Sequence, residues 1–111
     1  MINVRFHFQD KILIGIECKG HSGYSEKGSD IICAAVSALM QSLILGLHDI
    51  AKVDGLVCQI NDGIPLISAS WPKKSAAKVA LLIKTISESL IQIAKENSDY
   101  VKIFYSEEKI K

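Results

Sequence analysis

Residues 2–19 read INVRFHFQDKILIGIECK, and a two-residue alternation runs through them twice. In the first run Ile2, Val4, Phe6 and Phe8 fall on one side and Asn3, Arg5 and His7 on the other. In the second, Ile12, Ile14, Ile16 and Cys18 repeat the apolar series. Successive strand side chains point to opposite faces, so the pattern predicts half-buried strands over 2–8 and 12–19. Gln9-Asp10-Lys11 between them is short and polar, which makes the pair a β-hairpin.

The texture changes after the hairpin. Residues 20–29, GHSGYSEKGS, hold three glycines and three serines and no apolar run, the composition of a loop. Ser29 and Asp30 are helix N-caps for the long run from Ile31 to Ile50. That run is apolar nearly all round, and such a helix is buried on more than one side. In so small a domain a second copy of the chain can cover the outer side, so the run predicts a homodimer.

Two short runs follow, LVCQIN over 56–61 and IPLISAS over 64–70, joined by Asn61-Asp62-Gly63. Asp-Gly between apolar runs predicts a second hairpin. Pro65 places the later strand at an edge or makes Pro65 its start. Residues 73–97 predict an amphipathic helix whose inner face is Val79, Leu82, Ile83, Ile86, Leu90, Ile93 and Ala94. Pro72 precedes it, where proline is tolerated. Residues 100–105, YVKIFY, close the chain as a strand. The order β-β-α-β-β-α-β predicts an α+β two-layer sandwich, a mixed or antiparallel sheet with two helices on one face.

At 111 residues the chain is one domain, 1–111, and a chain of this size buries about two-thirds of its unfolded surface. A net charge of +1 without a basic cluster argues against direct nucleic-acid binding. The start, MINVRFHFQD, does not read as a signal peptide. The run from Ile31 to Leu47 is interrupted by polar residues and falls short of the roughly 20 residues of a bilayer span. The expectation is a cytoplasmic protein with no membrane attachment. Three cysteines, Cys18, Cys33 and Cys58, with no CxxC pair, support neither a disulfide framework nor a structural zinc site. Cys18 and Cys58 each share an apolar strand face, which predicts two buried, inert thiols.

Cys33 is different. It stands near the start of the long helix, where unpaired N–H groups and the positive end of the macrodipole favour an anion, and a thiolate is one. His21 closes the second strand on the other side of the loop. A histidine within reach of a cysteine can take its proton and return it to a leaving amine, the minimum for a cysteine peptidase. By alternation alone His21 would share the outer face with Glu17 and Lys19, although Gly20 can break the pleat. Asp30 has two readings, a helix cap or a group that orients the imidazole. Ser37, one turn after Cys33, reads as a small packing residue more readily than as a partner of the thiol. Backbone amides at the helix start, that of Cys33 included, could form an oxyanion hole. Cys18, His21 and Cys33 lack both the fourth ligand and the spacing of a metal site.

Gly20-His21-Ser22, followed by Gly28-Ser29-Asp30-Ile31-Ile32-Cys33-Ala34-Ala35-Val36-Ser37, resembles the signature of the ribosomal-processing cysteine proteases. That family shows a GH start, a glycine-containing loop and then G-x-D-x-x-C-A-A-x-S. The resemblance extends to the element order and so covers essentially the whole chain. It implies His21 as base and Cys33 as nucleophile, with Gly20, Asp30 and Ser37 as further motif positions. Ser22 departs from the alanine usual there but keeps the side chain small. The resemblance further implies a bacterial endopeptidase that needs neither metal nor cofactor. Its implied partner is the precursor of a large-subunit ribosomal protein, whose N-terminal extension is cut off after a short apolar stretch containing phenylalanine. The loop 22–29 would then be a lid over the peptide. The competing reading is a non-enzymatic ribosome-associated binding module, in which Cys33 only packs and Cys33→Ser changes nothing.

Overall fold

The computed structural model describes residues 1–20, 29–61 and 65–108, with Ser29 and Asp30 described in their backbone only. Five strands and two long helices follow one another: β1 (Ile2–Gln9), β2 (Ile12–Lys19), α1 (Ser29–Leu45), β3 (Val57–Asn61), β4 (Leu66–Ser70), α2 (Ala80–Glu96) and β5 (Val101–Glu108). A π-helical turn over Gly46–Ile50 extends α1, and a 3₁₀ turn over Lys73–Ser75 precedes α2. The predicted α+β sandwich is what forms. The sheet order is β3-β4-β2-β1-β5. β1, β2, β4 and β3 pair antiparallel, and β5 lies parallel to β1, so the sheet is mixed.

The first hairpin turns on Asp10 and Lys11, at φ 51° and 65°. Two successive positive φ values make the primed turn whose twist matches the flanking strands, here without glycine. The register shifts between His7 and Phe8, so Leu13 rather than Ile14 sits opposite Phe8. On the inner face Val4, Phe6 and Ile16 are buried, together with Ala69 of β4 and Val101 of β5. Ile32, Val36, Met40, Leu43 and Leu47 pack against them from the α1 side, and Ile83, Ile86, Leu90 and Ala94 from α2. The two helices meet closely at Gly46, where an added Cβ would collide with the Leu82 side chain.

Several expectations need correction. The predicted second helix starts late. Residues 73–75 form the 3₁₀ turn, and Val79, at φ −114° and ψ 22°, breaks the helical path before Ala80. The break lets buried Val79 reach the core along with Ile83. Trp71 follows β4 directly. It is buried, and its indole N–H donates to the Leu13 carbonyl at 2.9 Å. The outer strands are β3 and β5, and Pro65 stands at the start of β4, the second of its two readings, where it leaves the ladder intact. Every residue of β3 is exposed, since the helix layer does not cover that edge. Cys58 is therefore exposed, not buried.

α1 also departs from its reading. In the single chain it is buried along one side only, and Ile31, Leu45 and Ile50 are 74%, 52% and 76% exposed. The helical run Ile31–Ile50 reaches 20 residues, long and apolar enough on those two counts to cross a membrane, so the argument from shortness fails. The core accounts for its inner apolar residues. The outer ones are left on the surface.

Candidate active site

A cleft of about 180 Å³ opens where β2 runs out, between the first turns of α1 and the β3–β4 hairpin. One wall is a stripe of α1: Cys33, Ser37 and Gln41, with Val36 beside them. Residues four apart stack along one helix face, so this wall follows directly from the sequence. The facing wall is built from Ile60, Asn61, Pro65, Leu66 and Ile67. Ile2, Cys18 and Gly20 contribute from the sheet.

Gly20 fixes the geometry at this end. Its φ is +94°, which L side chains rarely adopt, and a Cβ there would stand 2.6 Å from the Met1 carbonyl oxygen. Its own N–H donates to the Pro65 carbonyl at 2.8 Å. The chain leaving β2 is thus held between Met1 and the start of β4, and any residue larger than glycine has to displace one of them. β2 pairs with β4 in the register Cys18↔Ile67 and Lys19↔Leu66, which continues the ladder up to that contact.

The two cysteines of the cleft have opposite surroundings. Cys18 is 4% exposed, and burial, aided by the nearby Glu17 carboxylate, pushes its thiol up to about 12. It stays a neutral, inert sulfur at neutral pH. Cys33 is half-buried and presents its side chain to the cleft. None of Cys18, Cys33 and Cys58 forms a disulfide. Cys58 stands outside the cleft on the edge strand, where partial desolvation raises its thiol. Among the described residues no group of three or more His, Cys, Asp or Glu could hold a metal ion.

α1 begins at Ser29, two residues earlier than expected, so Cys33 is its fifth residue. In the regular i→i−4 pattern the Cys33 N–H then faces the Ser29 carbonyl. That register places Cys33 one turn into the helix, just behind the amides that a helix start leaves over. Ser37 is exposed and on the cleft wall, which removes the packing role first assigned to it. His21, Ser22 and the predicted lid over 22–29 fall outside the described residues, apart from the Ser29 backbone. The same holds for the Asp30 side chain and for the Asp62-Gly63 turn. Of the predicted site residues, the structure therefore brings Gly20, Cys33 and Ser37 together. Sequence reasoning missed the facing wall and Gln41. The only sequence trace of that wall is Ile60, an apolar residue that the edge strand leaves 61% exposed.

A protein-family model, that of the cysteine protease Prp, matches residues 1–102. The chain is similar in structure to SMU.848 from Streptococcus mutans, at 29% identity and a TM-score of 0.80, over 97% of this chain and 96% of that one. It is also similar to an essential ribosomal processing protease Prp from S. aureus, in complex with a substrate peptide, at 20% identity and a TM-score of 0.82. That likeness covers 95% of this chain and 99% of the other. The same S. aureus protease with a covalently linked product peptide gives 21% identity and a TM-score of 0.80. The S. aureus likenesses speak for the fold, and the family match for the chemistry. No curated protein sequence matches the chain significantly.

Proposed function

This chain belongs to the Prp family of cysteine proteases, and from that membership we propose that Cys33 and His21 form its catalytic dyad and that its substrate is the N-terminal extension of a large-subunit ribosomal protein precursor. The observation that carries the reading is the half-buried Cys33 on the wall of an open cleft, flanked by Gly20 and Ser37 of the same motif. A peptide lying between α1 and the β3–β4 hairpin would bring a scissile carbonyl to the sulfur. The S. aureus relative, described as a ribosomal processing protease, gives the substrate class.

In this reading the Cys33 thiol gives its proton to the His21 imidazole, and the sulfur bonds to the scissile carbonyl carbon. Collapse of the tetrahedral adduct breaks the C–N bond, and the imidazolium returns the proton to the leaving amine. Water then attacks the thioester carbon, the C–S bond breaks, and the thiol regains its proton. The free amides ahead of Cys33 at the start of α1 are the chain's own donors for the oxyanion. Asp30, the acidic position of the motif, has two roles open to it, capping the helix or orienting His21. The steps require no metal or cofactor, and the substrate places the enzyme in the cytoplasm.

We also propose that the enzyme works as a homodimer joined through the outer side of α1. Ile31, Ala34, Ala38 and Leu45 form a stripe at helical spacing, all exposed, beside the cleft-facing stripe and distinct from it. An apolar helix side of this kind is covered in a stable soluble protein.

The test is cleavage of a peptide spanning the junction between extension and mature protein, followed by mass spectrometry for wild type, Cys33→Ala and His21→Ala. One cut by the wild type and none by either folded variant is the expected result. A wild type that binds the precursor without cutting it would return the chain to the docking-module reading.

A further inference from the structure

The cleft wall continues past the motif. Gln41 lies eight residues after Cys33, on the same face of α1, and lines the cleft opposite the β3–β4 hairpin. At 1.5 Å per residue the two Cα atoms are about 12 Å apart along the helix. An extended peptide advances about 3.3 Å per residue, so a substrate running along α1 from Cys33 would bring its third or fourth residue from the scissile bond level with Gln41. Its side chain is exposed and has no hydrogen-bond partner among the described residues. Among the described residues of the facing wall only Asn61 is polar, and Ile60, Pro65, Leu66 and Ile67 supply contact area without direction.

Resting on the protease reading above, we propose that Gln41 is a substrate-positioning residue whose side-chain amide pairs with the peptide backbone three to four residues from the cut. A primary amide carries one acceptor and two donor hydrogens, which match the C=O and N–H that an extended residue presents on one edge. The contact reads no side chain. It requires length and extended conformation of the substrate and fixes the register in which the carbonyl reaches Cys33. Ser37, midway along the stripe, leaves room for the peptide between the two polar groups.

The experiment measures kcat and KM on a twelve-residue junction peptide and on versions shortened one residue at a time from either end, for wild type, Gln41→Ala and Gln41→Glu. Gln41→Ala is expected to raise KM roughly three- to tenfold on the full peptide, the range of one net hydrogen bond, with kcat within about twofold. The penalty disappears once the peptide is cut to two residues on one particular side of the scissile bond, and it survives shortening from the other side. Gln41→Glu loses the donors and keeps much of the Ala penalty. A Gln41→Ala enzyme with unchanged KM on the full peptide overturns the proposal, and so does a penalty that every truncation preserves, since that is a folding or helix effect. A wild type that cuts no version overturns the protease reading itself and this one with it, a result separate from both.

Discussion

Gly20→Ala isolates what the motif glycine does for the structure. The substitution meets two obstacles at once. Its φ of +94° is strained for any L side chain, at about 1–3 kcal/mol. The new Cβ also sits 2.6 Å from the Met1 carbonyl oxygen, a backbone atom that cannot swing aside like a side-chain tip. Met1 leads directly into buried Ile2, whose N–H donates to the Tyr100 carbonyl at 2.8 Å, so moving that carbonyl disturbs the junction of β1 with β5. Moving Gly20 instead stretches its 2.8 Å bond to Pro65, at about 1 kcal/mol. The total is about 2–4 kcal/mol, a large share of the 5–15 kcal/mol typical of a domain.

Urea unfolding followed by circular dichroism measures it. With a slope of about 1–3 kcal/mol per molar, the midpoint falls by roughly 0.7–4 M while the slope itself is unchanged. Gly15→Ala is the internal control. There an added Cβ meets Ser70 Cβ at 3.3 Å and the Ala69 carbonyl at 3.4 Å, with no positive φ, and the expected loss is below about 1 kcal/mol. A Gly20→Ala loss under about 0.5 kcal/mol, or one no larger than that of Gly15→Ala, would refute the two-sided constraint and leave the glycine a purely catalytic or substrate-contact position.

Cys18 makes stability fall at alkaline pH. Its folded thiol titrates near 12 and the unfolded one near 9, so the folded chain alone holds the proton between them. The contribution is complete below pH 9 and declines above it by about 1.4 kcal/mol per pH unit, and urea midpoints from pH 8 to 11 should show a steeper decline for wild type than for Cys18→Ala. Equal declines would count against a buried neutral thiol. Leu45→Glu places a charge in the outer stripe of α1, and light scattering behind a sizing column should report a monomer where the wild type gives a dimer; an unchanged mass would remove the proposed interface. Leu90, fully buried on the inner face of α2, loses about 2–5 kcal/mol as Leu90→Ala, read from the urea midpoint, and a smaller loss would mean that the site collapses around the gap.

The parts of the fold legible in the sequence were those whose physics is local. The alternation of Ile2 to Cys18 marked a hairpin because both strands are covered on one face. The inner face of α2 was correct because Ile83, Ile86, Leu90 and Ala94 repeat at helical spacing over a long stretch. The misses came where tertiary position decides. Cys58 and Ile60 alternate as a half-buried strand should, yet they are bare because the helix layer does not reach β3. α1 reads as buried all round, and the single chain covers only one side. The site divides in the same way. Cys33, Ser37 and Gly20 were named by a contiguous motif, whereas Ile60, Asn61 and Leu66 join them only through the pairing of β2 with β4, which no local pattern encodes.

That pairing also explains how one cleft holds two thiols of unlike character. Cys18 is the second-last residue of β2, opposite Val4 on one side and Ile67 on the other, so strands cover it from both directions and helices from above. A thiolate there would lose its hydration, the described residues set only the Glu17 carboxylate against it, and the proton stays. Cys33 enters the same cleft from a helix whose inner neighbours, Ile32 and Val36, take the core positions. Its sulfur is left at the boundary, in reach of a peptide from the open side. Exchanging the two environments would require moving the helix rather than a residue. On this argument Cys18→Ala should leave peptide cleavage nearly intact, and Cys33→Ala should abolish it while leaving the alkaline decline in stability that Cys18 produces. If instead alkylation of the native enzyme modified Cys18 before Cys33, the burial argument that separates the two would be wrong.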